Sequence, residues 1–310
     1  MEKTRAKTTR NSLILLLTAT IWGMAFVSQS KGMDYMHPFT FNGVRSLIGA
    51  AGILMYILLS RKIAGDKAAK LDWKLNAKAG LLCGIFLTIA STLQQFGIKY
   101  TSVGKAGFIT TLYIIFVPMF GIFLKKKVAP VVWAAAGMAA VGMYLLCMTE
   151  SLRLGAGDIM VFLCAIAFAI QIMTVDHYAA RINGAVVSCI QFTVCGVVCC
   201  IGALIWGQPT FGQIQEGLGA LLYAGVLSCG VGYTLQIVGQ KGLNPTVAAL
   251  IMSLESVIAT ISGWIAYKIG FLSTDQTLTL RQIAGCVIVF AAVILVQLPP
   301  EWFRFGKKNA

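Results

Sequence analysis

Ten stretches of about twenty apolar residues, joined by short polar connections, leave this chain one environment in which to fold. A bilayer core about 30 Å thick is crossed by roughly 20 helical residues, and backbone groups inside it must be satisfied within the spanning segment. The stretches fall at 12–31, 39–60, 77–98, 104–124, 129–148, 156–176, 185–206, 217–239, 245–267 and 279–298. The longest interruption runs from Arg61 to Asn76, so no extramembrane domain is left to carry soluble chemistry. Of 310 residues 58% are hydrophobic and 12% charged, half the roughly 25% charged of a soluble chain. The expectation is an all-α polytopic membrane protein of ten transmembrane helices. A cleaved secretory signal is the alternative for the first stretch, because Lys3, Arg5, Lys7 and Arg10 precede an apolar run. No clear small-x-small cleavage site precedes Gln29, however, and this helix has a repeat partner later in the chain.

The net charge of +14 is the second anomaly, and its placement decides what it means. With the N-terminus inside, one face receives the N-terminal tail, the 61–76 loop with Lys78, Lys125–Lys127, Arg181, Lys241 and the C-terminal tail. That face holds 18 of the 25 Lys and Arg residues. The acidic residues split five to a side, with Glu255 in the membrane. The asymmetry therefore lies in Lys and Arg, as the positive-inside rule requires. A cell-membrane, multi-pass protein with both termini cytoplasmic is expected, with the lipid bilayer as its partner and no nucleic acid, since no soluble domain presents the charge.

Self-comparison finds an internal repeat. At an offset of 142, the window Thr92 to Gly121 pairs identically at Thr92/Thr234, Leu93/Leu235, Gln94/Gln236, Gly97/Gly239, Lys99/Lys241, Ala106/Ala248, Ile109/Ile251, Leu112/Leu254 and Gly121/Gly263. The earlier helices register at 146, pairing Trp22 with Phe168 and Arg45 with Gln191, and the last pair at 148 through Ala136-Gly137 and Ala284-Gly285. Two five-span units result, 12–148 and 156–298, with basic tails at 1–11 and 299–310. Five is odd, so the second unit enters the membrane from the opposite face. Inverted repeats of this kind are how many secondary carriers alternate access; a duplication that serves assembly alone is the competing reading.

Several segments then resemble one family: Ile21-Trp22-Gly23-Met24-Ala25-Phe26, Pro38-Phe39 with Arg45, Ala106-Gly107-Phe108-Ile109-Thr110-Thr111-Leu112-Tyr113 with Pro118, and Ala248-Ala249-Leu250-Ile251-Met252-Ser253-Leu254-Glu255. Over about 12 to 298 the chain is similar to bacterial members of the drug/metabolite transporter superfamily, the ten-helix type with two EamA-like domains. The resemblance implies export or uptake of small metabolites by alternating access. Two departures stand out: Glu255 is followed by Ser256 where the family usually has proline, and Lys268-Ile269 replaces a Gly-Glu pair.

Ionisable groups inside a bilayer are costly and are functional candidates by default. Only Arg45 and Glu255 qualify. Glu255 lies midway along the ninth helix and its partner at offset 142, Tyr113, midway along the fourth. The two should approach each other near the pseudo-twofold axis, where a carrier binds its substrate. Desolvation disfavours a charged carboxylate, which makes Glu255 the candidate for proton coupling; accepting hydrogen bonds from Ser253, Ser256 or a neighbouring helix is the structural alternative. Arg45 sits roughly 10 Å into the second helix. It either snorkels outward, pairs with Asp34 or Glu255, or binds a substrate carboxylate or phosphate. No second deep basic residue joins it, which favours an amino acid, a monoanion or a neutral metabolite over a sugar phosphate.

Trp22 and Phe168 are mid-span, where packing or a cavity wall is expected rather than an interfacial belt. Gln171 and Thr110 add polar groups one helical turn from Phe168 and Tyr113. The expected substrate site is thus Trp22, Arg45, Thr110, Tyr113, Phe168, Gln171 and Glu255. Gln94 and Gln236, at opposite mouths in an inverted repeat, are candidate gates, with inter-helix hydrogen bonding as the alternative. Gly80-x-x-x-Gly84 suits close helix approach, or a homodimer contact.

All nine cysteines fall within spans without a C-x-x-C, so packing is expected of them. His37 and His177 lie at opposite faces, which argues against a two-His metal centre, and no Gly-Lys-Ser/Thr phosphate loop is present. No metal, cofactor or enzymatic activity is expected. The reading is a secondary transporter of a small amino-acid-like or amphipathic metabolite, with export ahead of uptake. An importer or facilitator of the same fold is the near alternative, and a membrane enzyme or structural membrane protein the distant one.

Overall fold

The computed structural model describes residues 2–64, 71–124, 128–147, 155–273 and 275–297. The basic Lys125–Lys127 loop, Arg153 and the 299–310 tail lie outside these residues. The described chain is almost wholly helical: α1 (Glu2–Gly32), α2 (Pro38–Ala64), α3 (Trp73–Ile98), α4 (Val103–Thr111), α5 (Tyr113–Phe123), α6 (Pro130–Cys147), α7 (Ala156–Tyr178), α8 (Gly184–Gly202), α9 (Phe211–Glu216), α10 (Leu218–Leu222), α11 (Tyr233–Gln240), α12 (Pro245–Met252), α13 (Leu254–Lys268) and α14 (Leu280–Gln297). Two π-helical segments, Ala203–Gly207 and Tyr223–Gly232, extend α8 and join α10 to α11.

Several helix starts are written locally. Asp72, Ser102 and Asn183 each accept from the backbone N–H three residues on, and Asn244 accepts from Thr246 N ahead of Pro245. Gly242 and Gly270, just past α11 and α13, take φ of 82° and 74°, where an L side chain is strained.

Among the described residues eight helical runs are long and apolar enough to cross a membrane, counting α4–α5, α8 with its extension, α10–α11 and α12–α13 as single runs. The apolar helices Pro130–Gly142 and Leu280–Leu295, at the fifth and tenth expected positions, are shorter. The exterior is apolar, with Leu58, Phe123 and Leu204 at 60%, 80% and 74% exposure, whereas Arg45, Gln171 and Glu255 are buried. This distribution is the one a lipid solvent imposes.

The two repeats interlock rather than sit side by side. Repeat-equivalent segments pack on each other, α2 on α8, α6 on α14, and the α4–α5 run on the α12–α13 run through α4 on α13 and α5 on α12. The remaining large contacts come in matched pairs, α3 on α7 answering α11 on α1. Glycines allow these approaches: a Cβ on Gly97 would strike the Val161 side chain, and one on Gly239 would lie 2.7 Å from Leu15 Cδ2. Gly80 and Gly84 face Ile190 and Val194 of α8 in the same chain.

The register also explains a π-helical segment. Gly84 meets Gln191 and Val194, while Gly225 meets Arg45 and Ile48. These contacts are equivalent only if Gly84 and Gly225, at an offset of 141, correspond. The offset is 142 by Gly97 and Gly239, so one residue enters between, where the helix is π-helical. A π turn takes in an extra residue without displacing the helix ends.

Both α4–α5 and α12–α13 break near mid-run, at Leu112 and Ser253. The turns tighten there, with Leu112 N bonding Ile109 O at 3.2 Å and Ser256 N bonding Ser253 O at 3.1 Å. Pro118 removes a helical N–H just beyond the first break. The second has no proline; the Ser253 and Ser256 hydroxyls donate to Leu250 O and Ser253 O at 2.7 and 2.8 Å instead, contacts that bend helices.

Candidate functional site

The breaks place Tyr113 in the first turn of α5 and Glu255 in the first turn of α13. Because α4–α5 and α12–α13 are repeat equivalents, these side chains meet across the repeat axis, and Tyr113 Oη donates to Glu255 Oε1 at 3.0 Å. Both are buried. Ser253 and Ser256 spend their hydroxyls on their own helix, so the carboxylate takes its hydrogen bond from the other repeat.

Beside this pair lies a cavity between the repeats. Trp22, Arg45, Gln94, Thr110, Tyr113, Phe168, Gln171, Gln236 and Glu255 all line it. Gln94 and Gln236, expected at opposite mouths, are both on this wall, 6% and 1% exposed. Each bonds within its own half: Gln94 Nε2 to Thr110 Oγ1 at 3.2 Å, and Gln236 Nε2 to Gln171 Oε1 at 3.1 Å. The space open to the centre of a water molecule is about 30 Å³.

Arg45 is 5% exposed and lines the cavity, and among the described residues it makes no ion pair. Asp34 is paired with Lys31 at 3.0 Å instead, and Glu255 is held by Tyr113. The guanidinium carbon lies 5.3 Å from the Phe41 ring centre. Close by are Ser46 and Ser91, whose hydroxyls each lie 3.4 Å from Cys195 Sγ.

Sequence reasoning missed other wall residues: Phe26, Gln29, Ser46, Leu87, Ser91, Ile172, Phe192, Ser228, Cys229 and Tyr233. The repeat offsets would have found several. Phe26 and Ile172 correspond at 146, as do Ser46 and Phe192, and Ser91 corresponds to Tyr233 at 142. Both members of each pair face the cavity, as do both of Trp22/Phe168 and Gln94/Gln236. The Tyr233 ring also lies tilted 4.5 Å from that of Trp22 and edge-on 5.0 Å from that of Phe192, centre to centre, building an aromatic wall. Trp22 Nε1 is buried there without a hydrogen-bond partner.

Comparison with known proteins accords with this architecture. Residues 10–148 and 155–298 each match the EamA-like transporter family. An uncharacterized transporter of Archaeoglobus fulgidus is 28% identical over 290 residues, covering 92% of this chain and 84% of that protein. One from Clostridium kluyveri is 23% identical over 299 residues, covering 91% of each, and YwfM of Bacillus subtilis, also named an uncharacterized transporter, is 26% identical over 257 residues. A crystal structure 16% identical in sequence superposes with a TM-score of 0.73 over 96% of this chain and 99% of that one, a likeness of fold alone.

Proposed function

This chain belongs to the EamA-like transporter family, and from that premise we propose that it is a secondary carrier moving a small amino-acid-like or amphipathic metabolite by alternating access. It is a multi-pass membrane protein whose relatives are named as transporters rather than enzymes. The observation that carries the finer reading is the convergence of repeat-equivalent side chains on one cavity, with Tyr113 and Glu255 joined at its edge. A site between repeats exchanges its two exits when the repeats exchange conformations.

The proposed location is the cytoplasmic membrane with both termini inside, supported by the Lys and Arg asymmetry. The proposed direction is export, and Glu255 is the proposed proton carrier. Purified protein in proteoliposomes, assayed in both directions against a metabolite panel with and without an imposed pH gradient, tests all of this. Saturable flux of at least one solute is expected, enhanced by the gradient in wild type and not in Glu255→Gln. No flux of any solute sinks the carrier reading. Flux with the same pH dependence in Glu255→Gln removes proton coupling and leaves facilitated transport.

A further inference from the structure

The two ends of the α2–α8 contact are repeat equivalents, yet they are built differently. Where α2 begins, the rings of His37, Phe39, Phe96 and Trp206 close the space. Phe39 lies 5.1 Å from Phe96 and 5.5 Å from Trp206, and His37 5.4 Å from Phe96, centre to centre. Where α8 begins, at the opposite membrane face, the equivalent residues are Asn183, Ala185, Val238 and Ser60, at offsets of 146, 146, 142 and 146. Each ring is replaced by a side chain without one, and all four replacements line a cavity of about 290 Å³.

The neutral polar groups on this wall are turned to their own helices. Asn183 Oδ1 accepts from Val186 N at 3.1 Å, and the hydroxyls of Ser60 and Thr234 donate to Ile57 O and Gly230 O at 3.0 and 2.7 Å. Arg61 differs. It is the charged residue on the wall, half-buried, and among the described residues it makes no ion pair. Its guanidinium carbon lies 5.5 Å from the Trp73 ring centre, a contact that favours a cation but leaves its charge in place. Arg61 stands in the last turn of α2. Tyr56, on the same wall and 61% exposed, is about 7.5 Å nearer the middle of the span by helix rise. The cavity therefore runs from a cation at the end of an apolar span to an apolar wall of Ile57, Ala185 and Val238. It opens on the face where 18 of the 25 Lys and Arg residues concentrate, with Lys62 and Lys74 exposed beside it on α2 and α3.

We propose that this cavity holds one anionic phospholipid of the adjoining leaflet, with its phosphodiester on the Arg61 guanidinium and its glycerol and the head of one acyl chain against Ile57, Ala185 and Val238. Basic pockets between spanning helices on the positively charged face suit such headgroups, and a guanidinium offers a phosphate two parallel hydrogen bonds. A free inorganic anion would leave the apolar wall unused. The lipid would touch α2 of the first repeat and α8 and α11 of the second, so its binding stabilises the contact between repeats. This site is separate from the central cavity and independent of what the protein carries.

The experiment delipidates the purified full chain in detergent. It then measures lipid retention by native mass spectrometry and thermal stabilisation by phosphatidylglycerol, phosphatidylcholine, glycerol 3-phosphate and inorganic phosphate. Wild type is expected to retain one phosphatidylglycerol, at least tenfold more tightly than phosphatidylcholine, with a raised unfolding temperature; the two soluble phosphates do neither. Arg61→Gln abolishes the tenfold preference without lowering the unfolding temperature of the lipid-free protein, and Arg61→Lys keeps part of it. Ala185→Phe, which restores the ring found at the other end, prevents retention of either lipid; Arg61→Gln carries the test if that variant does not fold. Lys78→Gln, a loss of charge on the same face away from the wall, leaves the preference intact. Equal preference in wild type and Arg61→Gln, or equal retention of both lipids by wild type, overturns the proposal. Stabilisation by glycerol 3-phosphate or inorganic phosphate as potent as that by the lipid makes this a soluble-anion site and overturns it as well.

Discussion

Tyr113 and Glu255, 142 positions apart and occupying the same place in their two repeats, are joined by a hydrogen bond of 3.0 Å at the centre of the molecule. Equivalent residues touch only where a repeat axis passes between them. The sequence departs from its own symmetry at that point, with a phenol on one side and a carboxylic acid on the other. A hydrogen bond to a carboxylate contributes about 1.5–3 kcal/mol. Tyr113→Phe should therefore slow transport by roughly 10–100-fold while unfolding as cooperatively as wild type. Unaltered flux in proteoliposomes would show that the pair is not used in the transport cycle.

The glycine contacts that seat α3 on α7 and α11 on α1 leave no room for a methyl group. Gly97→Ala and Gly239→Ala should each destabilise by about 1–3 kcal/mol, the usual cost of overpacking. Gly137, with nothing within 4 Å of a Cβ placed on it, is the control; alanine there should be neutral or stabilising by about 0.5–1 kcal/mol. Thermal unfolding in detergent separates the three, and equal stability of all of them would contradict the close packing.

At the end of α7, Asp158 is 4% exposed and accepts from Lys105 Nζ at 2.6 Å, Thr101 Oγ1 at 2.9 Å and Gly155 N at 2.9 Å. The equivalent positions in the other half, Val247 for Lys105 and Ser12 for Asp158, cannot form such a bridge. Lys105→Met should cost more than the ~1 kcal/mol of an exposed pair and less than the ~3–5 of a fully buried one, since Lys105 is 21% exposed. Replacing both partners by apolar residues should restore part of the loss. A double-mutant cycle on unfolding reads the difference directly, and additive losses would deny the coupling.

His37, in the connection before α2, is held below the usual histidine range of 6.5, first by burial and then by the Lys99 charge. Its neutral Nδ1 accepts from Phe39 N at 3.4 Å. The folded state thus binds the proton less readily than the unfolded chain. The contribution is complete above about 6.5 and is lost progressively as pH falls below it. His37→Asn, which keeps an acceptor but does not titrate, should show a weaker fall in unfolding temperature between pH 7 and pH 5. An identical fall in both proteins would exclude His37 as a source of the acid sensitivity.

Much of the site was legible before any coordinates. Ionisable side chains inside apolar spans singled out Arg45 and Glu255, and the offset of 142 paired Glu255 with Tyr113. The same offsets, carried one turn further, lead to Phe26, Ile172, Ser91 and Tyr233. The break at Ser253 was harder to see, because no proline marks it and its serine hydroxyls act only once the backbone has turned. The residue taken up by the π-helical segment was likewise invisible, since one extra apolar residue in an apolar run leaves no mark on hydropathy.

The sequence by itself determined the solvent, the helices and the duplication. Each follows from local quantities: the length of an apolar run, the sign of the charges flanking it, and the spacing between like residues. Only the tertiary structure decided that Gln94 and Gln236 share one cavity, that Asp34 is taken by Lys31, and that Arg45 has no carboxylate partner among the described residues. The physical reason is that pairing of buried charges depends on helix rotation and distance, which a sequence with several admissible partners leaves open. Packing selects one of them, as it selects Lys31 for Asp34.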